Sequence, residues 1–271
     1  MRKKKVKQKN IIIEKKLPKI TPSQIQIIKD IYKFRFITSN QFQKLFNHKD
    51  NKLVKEWLKD LRNKKYIDMD YRREDINTNR QPAKYFLTTL GRKLLKGQKG
   101  FDINMLNKVY KEKTRKPVFK DHCLEVVDMY LFFRSHKEPG YELIFFTPPN
   151  LTKYEYFPKT NFDAYFVLRK KKRFRRFLLH VFNDSDPAWV VRRTIRQYIK
   201  YYDEESWQVN TDDASFPGLL FVLPTEKFKK HIFKYGQAVL QRAITANIYL
   251  FLETKDAIKS EDISNIWQHV E

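Results

Sequence analysis

The sequence predicts an α/β chain, multi-domain and α+β overall: a helical unit closed by a β-hairpin, then an α/β domain built on a mixed sheet. Three observations carry this. Two hydroxyl-led helix starts, at Thr21 and Thr38, precede a third helical segment. Two short apolar runs separated by a polar loop come next. Beyond Gly140, apolar runs of strand length alternate with helical periodicity.

The chain has 271 residues, 41% hydrophobic and 15% aromatic, enough to build real cores in two domains. Its formal net charge is +25, which calls for a polyanionic partner, and nucleic acid fits best. A membrane surface is the rival, but the basic residues are spread along the chain and do not line one amphipathic helix. The single cysteine, Cys123, can form no internal disulfide and leaves no Cys-based zinc site, so a reducing, cytoplasmic setting is expected. The N-terminal apolar run Ile11-Ile12-Ile13 is too short for a secretory segment or a membrane span. The 6 glycines form neither a dinucleotide fingerprint nor a phosphate-cradling loop.

Residues 1–16 form a basic arm, with eight lysines and arginines against Glu14. Residues 17–97 begin with Thr21-Pro22-Ser23-Gln24, a hydroxyl cap, a proline at the first helical position and a glutamine three residues beyond the cap. Ile25, Ile28, Ile31 and Tyr32 follow at helical spacing. Thr38-Ser39-Asn40-Gln41 starts a short second helix with Phe42, Leu45 and Phe46. The third, from Asp50 to Lys64, repeats Leu53, Val54, Trp57, Leu58 and Leu61. Tyr66 to Tyr71 and Lys84 to Thr88 read as strands, with a helix starting near Thr89. Three helices and a hairpin in this order describe a winged helix-turn-helix. Lys52, Lys55, Lys59 and Arg62 lie opposite the third helix's apolar stripe, and the hairpin loop adds Arg72, Arg73 and Arg80 as phosphate contacts, although Glu56 and Asp60 share that helix.

Residues 98–117 read as a linker with a short helix from Ile103 to Tyr110, and residues 118–271 as the second domain. A long helix from Phe119 turns Cys123, Leu124, Val127, Tyr130 and Leu131 inward and sets His122, Glu125 and Asp128 on another strip. Strands follow at Tyr141 to Phe146, Phe162 to Leu168 and Phe177 to Phe182, the last two joined by the basic turn Arg169, Lys170, Lys171, Lys172 and Arg173. A helix from Ala188 to Asp203, a fully apolar strand from Phe216 to Pro224, helices at Thr225 to Lys234 and Gln237 to Asn247, and a last strand at Ile248 to Leu252 complete the order. This is the topology of a restriction-endonuclease-like core with a mixed sheet.

The chain resembles the replication-relaxation family of plasmid and mobile-element proteins, which join a winged helix to such a domain. The resemblance rests on Tyr85 to Gly91, the helix with His122 and Asp128, Phe162 to Phe166, Tyr198 to Tyr202 and Phe216 to Val222. It implies an acid before the first hairpin strand and a second acid in the next strand. In related nucleases a lysine follows that second acid by two residues. Asp163 matches the first position, with Phe162 where the family has proline. His180 falls at the second position and Phe182 at the lysine. One carboxylate beside an imidazole is a poor site for Mg²⁺, which prefers oxygen ligands.

The expected protein is therefore a DNA-binding component of a plasmid or other mobile element, acting in replication or DNA relaxation, with a degenerate nuclease-like domain and no cofactor. Double-stranded DNA is the expected partner, with a second copy of the chain or replication and mobilisation proteins beside it, and no membrane. The alternative is a Mg²⁺-dependent nicking endonuclease or relaxase using Asp163 with Asp184 or Asp186, acids that serve equally well as turn and helix caps. A second alternative is a winged-helix transcriptional regulator. The six histidines (His48, His122, His136, His180, His231 and His269) never form a histidine-hydrophobic-histidine triplet, which excludes relaxase chemistry of that type. Tyr198, Tyr201 and Tyr202 offer a nucleophile of the kind that tyrosine-based nicking enzymes use, but aromatics at three- and four-residue spacing usually belong to a core.

Overall fold

A computed structural model describes residues 18–71, 81–98, 100–212, 214–243, 247–260 and 267–270. The basic arm 1–16 and the loop residues Arg72, Arg73 and Arg80 lie outside them. Helix α1 (Pro22–Phe34) starts with the expected capping box: Thr21 accepts from the Gln24 backbone, and Gln24 accepts from Thr21 N at 2.9 Å. Ile27, Ile28, Ile31 and Tyr32 are buried along it, so the inward stripe is turned relative to the expected one, and Ile25 is only half-buried. Strand β1 (Ile37–Thr38) leads into α2 (Ser39–Leu45) through a second capping box on Thr38 and Gln41. In α3 (Lys52–Asn63) Val54, Leu58 and Leu61 face inward, whereas Leu53, expected in the stripe, is 41% exposed.

Strands β2 (Ile67–Asp70) and β3 (Lys84–Leu87) pair antiparallel, with Ile67 opposite Leu87 and Asp70 opposite Lys84. Strand β1 adds to β3, giving a three-stranded sheet in the order β1-β3-β2. Helix α4 (Thr89–Lys96) packs against this sheet at Gly91, where a Cβ would run into the Tyr66 carbonyl oxygen. Residues 100–117 connect the halves, and several of them are packed. Leu106, on α5 (Ile103–Lys108), and Val109 are in the core, and the nearly buried Glu112 pairs with Arg35.

Helix α6 (Pro117–His136) is buried between two partners. It meets α1, α2 and β1 on one side and β4 and β6 on the other. The second sheet runs β4 (Glu142–Phe146), β5 (Ala164–Lys170), β6 (Arg173–Val181), β7 (Gly218–Leu223), β8 (Leu250–Thr254) and β9 (Gln268–Val270) in that order, with the short helix α7 (Pro148–Leu151) after β4. The first three strands pair antiparallel, β6-β7-β8 parallel, and β9 antiparallel, so the sheet is mixed.

The period-two alternation of strand side chains divides the core. Phe145, Phe166, Leu179, Val181, Leu220 and Val222 join α6 and the N-terminal helices in one cluster. Tyr165, Val167, Leu178, Phe182, Leu219 and Phe221 face α8 (Ala188–Asp203), α9 (Ser206–Asn210) and α10 (Glu226–Leu240). Two expectations need correction. The helices anticipated at Thr225 to Lys234 and Gln237 to Asn247 run together as α10, which ends at Leu240 and whose Tyr235, Gly236 and Gln237 continue the turn instead of breaking it; residues 244–246 lie outside the described residues. The strand expected at Ile248 runs from Leu250 to Thr254 and is not the last, because α11 (Lys255–Lys259) and β9 follow it.

Candidate functional site

Asp163 stands immediately before β5. Its backbone N–H donates to Leu179 O at 2.8 Å, continuing the hairpin ladder one step beyond Ala164. Both carboxylate oxygens are engaged: Oδ2 accepts from Val181 N at 2.7 Å, and Oδ1 accepts from His122 Nε2 at 2.6 Å. The other side of the imidazole, Nδ1, lies 4.0 Å from Glu125 Oε2. Burial opposes charge on His122. The hydrogen bond and charge of Asp163, then Glu125 and the Asn183 side chain, more than offset it, and the His122 pKa rises above the ordinary value.

The polar strip of α6 ties three elements together. His122 holds β5 through Asp163. Glu125 Oε1 takes Lys255 Nζ on α11 at 2.7 Å, while its Oε2 is buried with no hydrogen-bond partner among the described residues. Asp128 accepts from Gln41 Nε2 on α2 at 2.8 Å. A cleft of about 610 Å³ opens beside this strip, lined by Glu125, Asp128, Lys44, His48, Lys255 and Lys259 among others.

His180, the residue at the second acid position, points to the opposite face of the sheet. Thr160 Oγ1 donates to the Tyr198 hydroxyl at 3.0 Å, and Tyr198 donates to His180 Nε2 at 2.8 Å. Burial pushes the His180 pKa down to about 4, so the ring is neutral and satisfied. Phe182 stacks on that ring at 5.6 Å. Burial raises the Tyr198 and Tyr201 hydroxyls well above the usual phenol range, as core packing would. Asp186 Oδ2 accepts from Asn183 N at 2.7 Å, closing the turn, and it is Pro187 that occupies the cap position of α8. Asp184 is exposed.

Asp163, Asp184 and Asp186 thus have three different surroundings. Among the described residues no group of three or more His, Cys, Asp or Glu side chains has the arrangement to hold a metal ion. A cation at Asp163 would have to displace the imidazole and the Val181 N–H, and its second ligand position holds a ring facing the other way. This donor set does not fit Mg²⁺.

The basic surfaces are built differently. Lys52, Lys55 and Lys59 are exposed along one strip of α3, with Glu56 among them. Asp60 does not join that strip. Its Oδ2 takes Lys64 Nζ and Gln24 Nε2, each at 2.6 Å, and these two hydrogen bonds hold its pKa below the usual value. Arg62 is half-buried. At the β5–β6 turn Lys171, Lys172 and Arg173 are exposed, whereas Arg169 pairs with Glu142, and Lys170 Nζ donates to Pro139 O at 3.3 Å. Among the described residues no helix is long and apolar enough to cross a membrane.

Sequence reasoning placed His122 on a strip without finding its partner. The signal available was a polar i, i+3, i+6 row on an otherwise apolar helix. Lys255 carried no local signal, because only the fold brings it to Glu125.

Two sheets packed against one shared helix make this a mixed α/β, multi-domain protein. The family model described as replication-relaxation matches residues 28–215, more than half of the chain, and the chain belongs to that family. The matched span runs from α1 past α9 and includes both α6 and Asp163. No curated protein matches the chain.

Proposed function

We propose that this is a DNA-binding protein of a plasmid or other mobile element, acting in its replication or relaxation. In this reading α1, α2, α3 and the β2–β3 hairpin are a winged helix that docks on duplex DNA, and the second sheet is a nuclease-like domain without metal-dependent cleavage. The observation that carries the reading is the outer strip of α3, where Lys52, Lys55 and Lys59 stand exposed while Asp60 is drawn back to Gln24 and Lys64. Exposed cations on the helix expected to enter the groove suit phosphate contact, with Glu56 the one acid beside them on that strip. The state of Asp163 supports the second half, since both its carboxylate oxygens are taken, one by His122 Nε2 and one by Val181 N, where a metal would otherwise bind.

Fluorescence anisotropy with a labelled duplex across a salt series tests the binding. The expected log affinity falls by about 0.9 per log unit of salt for each phosphate contacted, and replacing the three lysines with Gln lowers that slope by about one per lysine in contact. A salt-independent titration contradicts the reading. Supercoiled plasmid incubated with Mg²⁺ is expected to remain intact; nicking that Asp163→Ala abolishes would establish the endonuclease instead.

A further inference from the structure

Helices α8 and α10 lie side by side on the sheet face opposite α6 and the N-terminal unit. Their inward sides are apolar: Val191, Ile195 and Tyr198 on α8, and Ile232 on α10, are fully or almost fully buried. Their outward sides carry Arg192, Arg193, Arg196, Lys230 and Lys234, of which all but Arg192 are exposed. None of the ion pairs among the described residues involves these five side chains. The acids lie at the helix ends: Asp203 closes α8, Glu204 just beyond it is 3.7 Å from Lys200, and Glu226 at the start of α10 is 3.0 Å from Lys229.

Two of the cations, Arg192 and Arg196, are held by partners other than acids. Arg192 donates to His231 Nε2 and stands 5.4 Å from the centre of the Tyr235 ring, and Arg196 Nη1 donates to the Tyr235 hydroxyl at 3.0 Å. The basic hairpin contrasts with this, because there Arg169 and Arg175 are answered by Glu142 and Glu138. Like charges gathered without acids repel one another, and a polyanion relieves that repulsion. One turn before Arg192 and Arg193, on the same outward strip, the Trp189 side chain is 60% exposed. A large bare aromatic surface beside guanidinium groups is the pairing that single strands use, with phosphates on the cations and a base stacked on the ring.

We propose that the outer face of α8 and α10 binds single-stranded DNA, with Trp189 as the stacking platform and Arg193, Arg196, Lys230 and Lys234 as phosphate contacts. This deepens the DNA-binding reading and rests on it. The α3 strip and the α8–α10 face lie on opposite sides of the six-stranded sheet, so one molecule holds a duplex and a separated strand at once.

The test uses the full chain with two labelled probes, an oligo(dT) of about 20 nucleotides and a mixed-sequence duplex of similar length. Trp189→Ala and a paired Arg193→Gln, Lys230→Gln variant alter exposed side chains only, and circular dichroism checks that they fold. The expected result is a loss of oligo(dT) affinity of roughly tenfold for Trp189→Ala, with duplex affinity unchanged. Saturating duplex is expected to leave oligo(dT) bound. Unchanged oligo(dT) affinity in both variants overturns the proposal and leaves duplex binding standing. So does displacement of oligo(dT) by duplex, or a variant that weakens duplex binding instead. If wild-type protein binds neither probe, the DNA-binding reading itself fails.

Discussion

His122 and His180 lie within one short span of the fold and are driven in opposite directions. The His122 pKa rises because Asp163 and Glu125 outweigh its burial, and that of His180 falls because burial dominates there. Histidine NMR titration is expected to place His122 above the ordinary value near 6.5 and His180 near 4. Their contributions to stability have opposite signs. The raised His122 stabilises fully below the unfolded value and loses that contribution as pH climbs through its folded value. The lowered His180 makes the unfolded chain bind the extra proton, so stability falls as pH drops from about 6.5 to about 4. Denaturant unfolding over this range checks both, and Asp163→Asn is expected to remove the His122 part and to lower the His180 pKa further, because the Asp163 charge holds it up. Asp163 was legible as a special acid before its strand. The imidazole across from it was not, because the two are brought together only when α6 docks on the hairpin.

At the level of elements, the sequence spoke most clearly where the physics is local. Thr21 with Gln24 and Thr38 with Gln41 are capping boxes within four residues, and both form. Thr21→Ala and Thr38→Ala are expected to cost about 1 kcal/mol each in denaturant unfolding. The thirteen-residue alternation of buried and exposed positions in α1 was legible in kind but not in phase, since its buried face depends on what it packs against. Strand β9 carried no signal at all: three residues after a long polar stretch acquire strand geometry only because β8 offers an edge. The pair Lys229–Glu253, both largely buried at 3.0 Å, was equally hidden, since the residues come from different elements. Glu253→Ala is expected to destabilise toward the lower end of about 3–5 kcal/mol, because Glu226 still reaches the ammonium. Gly91→Ala is expected to cost about 1–3 kcal/mol, as α4 must back away from the Tyr66 carbonyl.

For the whole molecule, the decisive fact is that the core does not divide at the connection between the halves. Ile27 and Leu58 from the first half belong to the same apolar cluster as Phe166 and Val222 from the second. Polar ties reinforce it: Lys120 Nζ to Asp70 at 2.5 Å, Arg134 Nη1 to Leu45 O at 2.8 Å, and Thr147 Oγ1 to Lys33 O at 2.5 Å. Calorimetry is therefore expected to show one cooperative unfolding transition, and two separated transitions would contradict this continuity. Composition had pointed to a polyanionic partner through its charge, but it carried no information on how the two halves are joined.

Helix α6 has a consequence for chimeric chains. Its Cys123 packs with Phe36 and Phe86 of the first half, and its Val126 and Val127 join a cluster that includes Phe166 and Leu179 of the second, so it bears the imprint of both. A foreign first half grafted onto this second half would meet side chains shaped for another surface. A chimera joined inside residues 117–136 is therefore expected to fold less stably than one that carries the helix together with both of the surfaces it fits.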